Sequence, residues 1–580
     1  MPIPARKQIQ MKRRKFFQTI GLATPAALLG ANARIPGGDP LPLAPNLPAE
    51  PKVYFFDDGR HAAGLYQFEP PLTPEDHCYT VDQLVNTGID TYIYAATLEG
   101  GVVQYDSRVA QKWGDNVQKW NHAIWYRAGR NLKQLVADGH DPLKLLIDAA
   151  HRGGILFLPS CHVDLQGGDR ATHGGWGRKS DFVYEHPQFH VGEEDDPRAK
   201  GVSPTRFNLL HAEAREERFR VAEELLTRYE TDGLELNLAE DDYLGPYCRF
   251  DEVDRLAPLL TEWVRRVRAA ARKAEQAQGR RKHIYARIFA HPDTWKMLGY
   301  EVSKWVSEGI IDGLICASSD SEHLDQDVDL EPALRVTRGT KCRVLAAYCN
   351  VLSRQLRRYG SQEMIWAGAA NSYAQGAHGF GLADAHWTPN GWPLTDHDHQ
   401  TLRILGNPDL LATVDKCYHV RSDRTPGTVQ AWLPGGARSL TRTLKDGETA
   451  EIPLRIADDL PKWHKLGRVK SVRLRIRFAN LVPTGDKIKV EWNGARLPDS
   501  ILTRIDLNYR LLPNGAINPY SYIHEYRLPL ENYPRSGRNN LKITLIERDP
   551  MLLTPFEVYD VDCAIEYRLH RNFVKRPIEY

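Results

Sequence analysis

The stretch "YETDGLELNLAEDDYLGPY", residues 229–247, decides the fold. Leu234, Leu236 and Leu238 alternate with Glu235, Asn237 and Ala239. A period of two is the signature of a strand, because successive side chains point to opposite faces. The leucines need an apolar face, so Glu235 and Asn237 point the other way. Glu240, Asp241 and Asp242 follow directly. A strand that ends in a burst of carboxylates suggests a cleft at that end.

Seven further apolar runs surround it. They are "VYFFDDG" at 53, "TYIYAATLEGG" at 91, "ILFLPSCHVD" at 155, "HIYARIFAH" at 283, "IDGLICASSD" at 311, "RVLAAYCNV" at 343 and "GFGLADAHW" at 379. Helix-like segments lie between, for instance "HAEAREERFRVAEELLTRYE" at 211. Eight strand–helix units over this length predict an α/β (β/α)8 TIM barrel. A doubly wound open sheet is the alternative, but no Gly-rich phosphate loop follows the first run. From about 420 the texture changes to short alternating runs, "VQAWLP", "VKSVRLRIRFA", "KIKVEWNGARLP", "NLKITLIER" and "VDCAIEYRL", separated by turn signals. These predict a C-terminal antiparallel β-sandwich. The change of texture also suggests a module separable from the barrel.

The N-terminal "MKRRKFFQTIGLATPAALLGANA" resembles a twin-arginine export signal, with Arg13-Arg14, Phe16-Phe17 and a small-residue site at Ala31-Asn32-Ala33. A Pro-rich linker follows. The expected organisation is residues 1–33 signal peptide, 34–51 linker, 52–418 barrel and 419–580 sandwich. The expected location is periplasmic or extracellular, with no integral membrane segment after cleavage. Eight cysteines show no zinc-type spacing and read mostly as buried thiols. The formal net charge of the 580 residues is +2, which gives nucleic-acid binding no electrostatic footprint. Thirteen Trp and 25 Tyr suit stacking on sugar faces as well as a large core.

In such barrels the chemistry sits at the C-terminal strand ends. The expected inward set is Ser160, His162 and Asp164 on the third strand, and Glu235 and Asn237 on the fourth. The fifth offers Arg287 and His291, the sixth Ser318 and Asp320, the seventh Tyr348 and Asn350. The eighth offers Asp384 and His386, with Trp387 beside them, and the first ends in Asp57 and Asp58. A cleft of acids, histidines, an arginine and aromatics matches glycoside hydrolysis, which needs two carboxyl groups, one protonated and one ionised. Glu235 is the expected nucleophile or base and Asp320 the general acid. His162, Asp164, Asn237, Arg287, His291, Tyr348, Asn350, Asp384, His386 and Trp387 are the expected carbohydrate-binding residues. This chemistry needs no cofactor. Glu235 pairing with Arg287 as a structural ion pair is the competing account of that residue. Asp232-Gly233 and Asp312-Gly313 read as turns before strands, not as sites.

"RYETDGLELNLAEDDYLGPY", followed by "FDEVDRLAPLLTEWVRRVR", resembles the bacterial glycosyl hydrolase-like TIM barrels, in which a "yDvDGieLDf" strand precedes a long helix. "WVSEGIIDGLICASSD" is similar to their "w...g.iD.i.p" strand. The resemblance covers about residues 50–400 and implies a glycosidase, and the twin-arginine leader and sandwich tail suit an exported carbohydrate-acting protein. It breaks at Asn237, where that motif carries an aspartate. If that aspartate is catalytic in the family, this chain uses Glu235 instead or is inactive. Two alternatives therefore stay open. One is a metal-dependent hydrolase using His162, Asp164, His291, Asp320 and His386. The other is a glycan-binding barrel without catalysis.

Overall fold

The computed structural model describes residues 47–60, 63–239, 245–318, 323–353, 358–383, 393–420, 442–507 and 521–572. Eight strands form a closed parallel barrel: β1 (Val53–Asp57), β2 (Thr91–Ala95), β3 (Leu156–His162), β4 (Gly233–Asn237), β5 (His283–Phe289), β6 (Gly313–Ala317), β7 (Arg343–Tyr348) and β8 (Gly379–Ala383). The order around the barrel is β1-β8-β7-β6-β5-β4-β3-β2. All eight apolar runs become these strands. They read as unbroken apolar runs because a parallel sheet inside a helical ring is buried on both faces. Helices such as Ala212–Thr227 and Val253–Gln278 pack outside.

Register fixes which side chains face the axis, since registered partners in a parallel ladder share a face. Glu235 pairs with Ser160 and Tyr285, and Asn237 with His162 and Arg287. Following the ladder, Tyr285 meets Gly313, and Tyr54 meets Gly381. A Cβ on Gly313 would lie 2.1 Å from the Tyr285 ring, and one on Gly381 equally close to the Tyr54 ring. Two tyrosines thus fill the axis opposite two glycines, the large-against-small packing of a small barrel.

A repeated device clamps the N-terminal ends. Asp90, Asp232, Asp312 and His378 each precede an even-numbered strand. Each accepts a backbone N–H from the preceding strand: Val53 at 2.9 Å, Phe157 at 2.8 Å, Ile284 at 2.8 Å and Val344 at 3.1 Å. Asp232 and Asp312 are therefore structural, as their sequence context suggested. Gly233 cannot carry a side chain, since its φ is 150° and a Cβ would sit 1.9 Å from the His283 carbonyl oxygen.

The C-terminal region is two antiparallel sheets. The first contains β9 (Lys416–Val420), β10 (Arg442–Leu444), β12 (Val469–Ala479), β15 (Leu502–Asp506), β16 (Ser521–Arg527) and β18 (Phe556–Tyr567). The second contains β11 (Thr449–Ile456), β13 (Lys487–Trp492), β14 (Ala495–Arg496) and β17 (Gly537–Glu547). β11 alternates exposed and buried residues, as one wet face and one dry face require. β9 straddles the expected boundary at 418/419 and pairs with β18. The expected run "VQAWLP" lies outside the described residues.

Barrel and sandwich are bonded together. The buried Gln326 side chain donates to Cys417 O at 3.0 Å and accepts from His419 N at 2.6 Å. Asn371 donates to Arg455 O at 3.0 Å, and Arg455 Nε lies 2.6 Å from Asp327. Residues 44–580 cluster as one compact unit, with these bonds inside it. None of the eight cysteines is in a disulfide, and six are buried. Among the described residues no helix is long and apolar enough to cross a membrane.

Candidate active site

The C-terminal end of the barrel gathers His162, Asp164, Glu235, Asn237 and Arg287. Each is under 10% exposed. Glu235 sits in the middle of β4 with no exposed surface. Its Oε1 accepts from Arg287 Nε at 2.5 Å. The Arg287 guanidinium lies 4.0 Å from the centre of the Phe56 ring. Among the described residues Glu235 Oε2 has no hydrogen-bond partner, and neither do Ser160 Oγ or the two Asp164 oxygens. His162 Nδ1 is 3.5 Å from Asp164 Oδ1. Asn237 Oδ1 accepts from Ala239 N at 3.3 Å, which shapes the turn out of the strand.

A buried polar atom without a partner costs about 1–3 kcal/mol. Orphaned carboxylate oxygens on neighbouring strands are therefore expensive for the fold alone. They form acceptor sites that a water or a ligand hydroxyl can answer.

A charged network, of which the sequence reading named only Asp58, flanks this group. Arg178 pairs with Glu99 at 2.7 Å, and Arg60 with Asp58 at 2.8 Å. Lys179 is buried and donates to Gln166 O at 3.0 Å. Burial works against an ionised Glu99, but Arg178, Arg60 and Lys179 outweigh it and hold the carboxyl at about 2. Burial and Arg178 lower the Lys179 ammonium, while Glu99 and Asp164 act in the opposite direction. Glu99 stands within the quoted "ATLEGG". Arg178 and Lys179 lie deep in the long β3 loop, where no periodicity points to them.

Several expected residues sit elsewhere. Tyr348 faces outward, because register puts Arg343, Leu345 and Ala347 inward on β7. Its ring lies against Gly368 of the helix Gln362–Ala374, where a Cβ would be 2.6 Å away. Asn350 accepts from Tyr348 Oη at 3.2 Å and donates to Gly360 O at 2.8 Å, an anchoring role. His291 lies past the end of β5 and caps the helix Pro292–Leu298, accepting from Asp293 N at 3.3 Å. Ser318 follows β6, whose inward residues are Gly313, Ile315 and Ala317, and its Oγ donates to Asp325 at 3.0 Å. Asp57 turns from the axis and accepts from Tyr92 Oη at 2.5 Å. Asp320, Asp384, His386, Trp387 and Glu240–Asp242 lie outside the described residues. Among the described residues no group of three or more His, Cys, Asp or Glu side chains is placed to hold a metal ion.

No family model matches the chain, and no curated protein matches it. Solved structures that resemble it include glycoside hydrolases. The glycoside hydrolase domain of PgaB (BpsB) from Bordetella bronchiseptica is 14% identical, with 61% of this chain and 99% of that one covered and a TM-score of 0.39. An alpha-L-fucosidase, isoenzyme 2, from Paenibacillus thiaminolyticus is 12% identical, with coverage of 63% and 50% and a TM-score of 0.38. A maltogenic alpha-amylase, AmyB, from Thermotoga neapolitana is 12% identical, with coverage of 87% and 98% and a TM-score of 0.36. These likenesses are loose. The strand order and register, not the likenesses, establish a (β/α)8 barrel carrying a β-sandwich.

Proposed function

We propose that this chain is an exported glycoside hydrolase acting on a poly- or oligosaccharide, with its chemistry at the mouth end of β3 and β4. One observation carries the reading: Asp164 and Glu235 are buried carboxylates with oxygens that no described protein group answers. Glycoside hydrolysis needs two carboxyl groups in one cleft. Arg287 Nε bonds one Glu235 oxygen and leaves the other for a nucleophile's or base's role. Asp164 is the second carboxyl that the described residues supply, and Asp320 remains the proton donor expected from sequence. His162, Asn237 and Arg287 hold sugar hydroxyls. Hydrolysis of a polysaccharide panel, read as released reducing ends, tests this. Turnover that falls with Asp164→Asn and with Asp320→Asn supports the pair. Release of no reducing ends from any member opposes hydrolysis.

A second reading has its own observation. Glu235 has no exposed surface and is paired with Arg287, and Asn237 stands where the related motif has an acid. That combination suits a barrel that binds glycans without cleaving them. Retention by a polysaccharide without release of reducing ends identifies this case.

A further inference from the structure

We propose that the loops after β2 and β3 carry a stacking platform for a saccharide chain, built on Trp125 and Trp176 beside the candidate site. The proposal rests on the carbohydrate reading above and names where the bulk of the ligand lies. Its segments are "KWNHAIWYRAG", residues 119–129, and "THGGWGRKSD", residues 172–181. Both follow barrel strands, so both belong to the face that carries Asp164.

Four rings run in a row across the start of the helix Ala123–Ala137 and the loop after β3. His122 and Trp125 have centroids 5.1 Å apart, Trp125 and Trp176 5.7 Å, and Trp176 and His173 4.7 Å. The two indoles are half-buried and tilted by 50°. Among the described residues neither indole N–H has a protein acceptor. Rings with an apolar face and a free donor edge suit a ligand that has both C–H faces and hydroxyls. Pyranose units fit that description, and the tilt matches a chain whose successive units are rotated.

The mount is rigid, as a site of this kind requires. Trp120 wedges into a slot formed by Gly114, Gly129 and Gly177. A Cβ on these would meet its ring at 2.6, 2.5 and 2.8 Å. The fully buried Trp113 donates to Trp176 O at 3.3 Å. Backbone bonds from Asn121 N to Gly175 O at 3.1 Å and from Gly114 N to Gly177 O at 3.2 Å lock the loops together. Arg178 and Lys179 follow Trp176 after Gly177 and join the network around Glu99 and Asp164, so the platform is continuous with the site. Nucleic-acid strands also stack on rings, but they need a free basic track. Here Arg170 is bonded to Asp181 at 2.7 Å and Arg178 to Glu99 at 2.7 Å.

Native affinity electrophoresis of the full chain in gels containing xylan, mixed-linkage β-glucan, dextran, starch, glycol chitosan or alginate tests the platform. At least one polysaccharide should retard the wild type. The double variant W125A/W176A should bind it roughly tenfold or more weakly, from the loss of two ring contacts. W125F/W176F, which keeps the rings, should retain most of the retardation, and an unchanged melt shows that both variants fold. Equal retardation of wild type and W125A/W176A overturns the platform, as does retardation by single-stranded DNA alone or by none of the six polysaccharides. Hydrolysis of short aryl glycosides separates the two ideas. Activity there with Trp-independent binding sinks the platform alone, whereas Trp-dependent binding without any hydrolysis sinks the hydrolase reading alone.

Discussion

Arg287 registers with Asn237 yet bonds to Glu235, two residues lower on β4, with Nε 2.5 Å from Oε1. The arginine reaches down into the barrel instead of out of it, and its guanidinium covers the Phe56 ring. Glu235 thereby holds a structural bond through Oε1 while Oε2 keeps its acceptor capacity. The ion pair with Arg287 is what the structure shows of this residue, and Oε2 is the atom on which the proposed chemistry rests.

Glu235→Gln separates the two parts. The amide retains an acceptor for Arg287 but loses the charge. Turnover is expected to fall by roughly a thousandfold or more if the carboxylate reacts. Leaving Arg287 buried beside a neutral partner should also lower the melting temperature. Kinetics and a thermal melt on this one variant read both. A melt that drops while turnover stays near normal assigns Glu235 to structure alone.

Much of the barrel was legible. Parallel strands are apolar on both faces, so each stood out as a run, and the leucine alternation on β4 revealed its inward side. β7 shows the limit. "RVLAAY" is apolar on both faces, has no alternation to read, and its parity was taken wrongly, which placed Tyr348 at the axis. His291 shows another limit: its chain has already left the strand, and the Pro292 that opens the next helix is the visible sign. The Glu99–Arg178–Lys179 network depends on long loops folding back, and local pattern carries no trace of that.

The barrel and sandwich should melt together. A chain ending at residue 415 removes the partners of Gln326 and Asn371 and strips Ala367 of its contacts in the sandwich core. Scanning calorimetry of the full chain should give one transition, and the truncated chain should be insoluble or markedly less stable. A truncated barrel that melts at the full-length temperature would show independent domains.

Acid should destabilise the fold through two buried histidines. Burial, the larger effect in each, lowers His77 and His524 to about 4, against an ordinary value near 6.5. Below about pH 6.5 the unfolded chain takes up protons that the folded chain refuses. Stability is therefore lost as pH falls from about 6.5 to about 4, by about 3 kcal/mol for each histidine. Neither His524 nitrogen has a hydrogen-bond partner among the described residues, and its ring packs edge-on against Phe478. His524→Phe should raise the melting temperature at pH 5 more than at pH 8. An equal shift at both values would contradict the assignment.

Export is expected to depend on Arg13 and Arg14. Changing both to lysine should leave the precursor in the cytoplasm, measured by fractionation and immunoblotting. Normal export of that variant would remove the twin-arginine assignment.

The central claim is that the carboxylate oxygens left without a hydrogen bond at the barrel mouth are kept for chemistry. Asp164→Asn tests it most directly, because neither Asp164 oxygen makes a hydrogen bond to a described residue. Turnover and melting temperature should be measured together on a polysaccharide that the wild type cleaves. The account predicts a melting temperature unchanged or higher, with turnover reduced at least a hundredfold, on the order of what a positioned acid–base group contributes. A lower melting temperature with turnover near the wild-type value would contradict it.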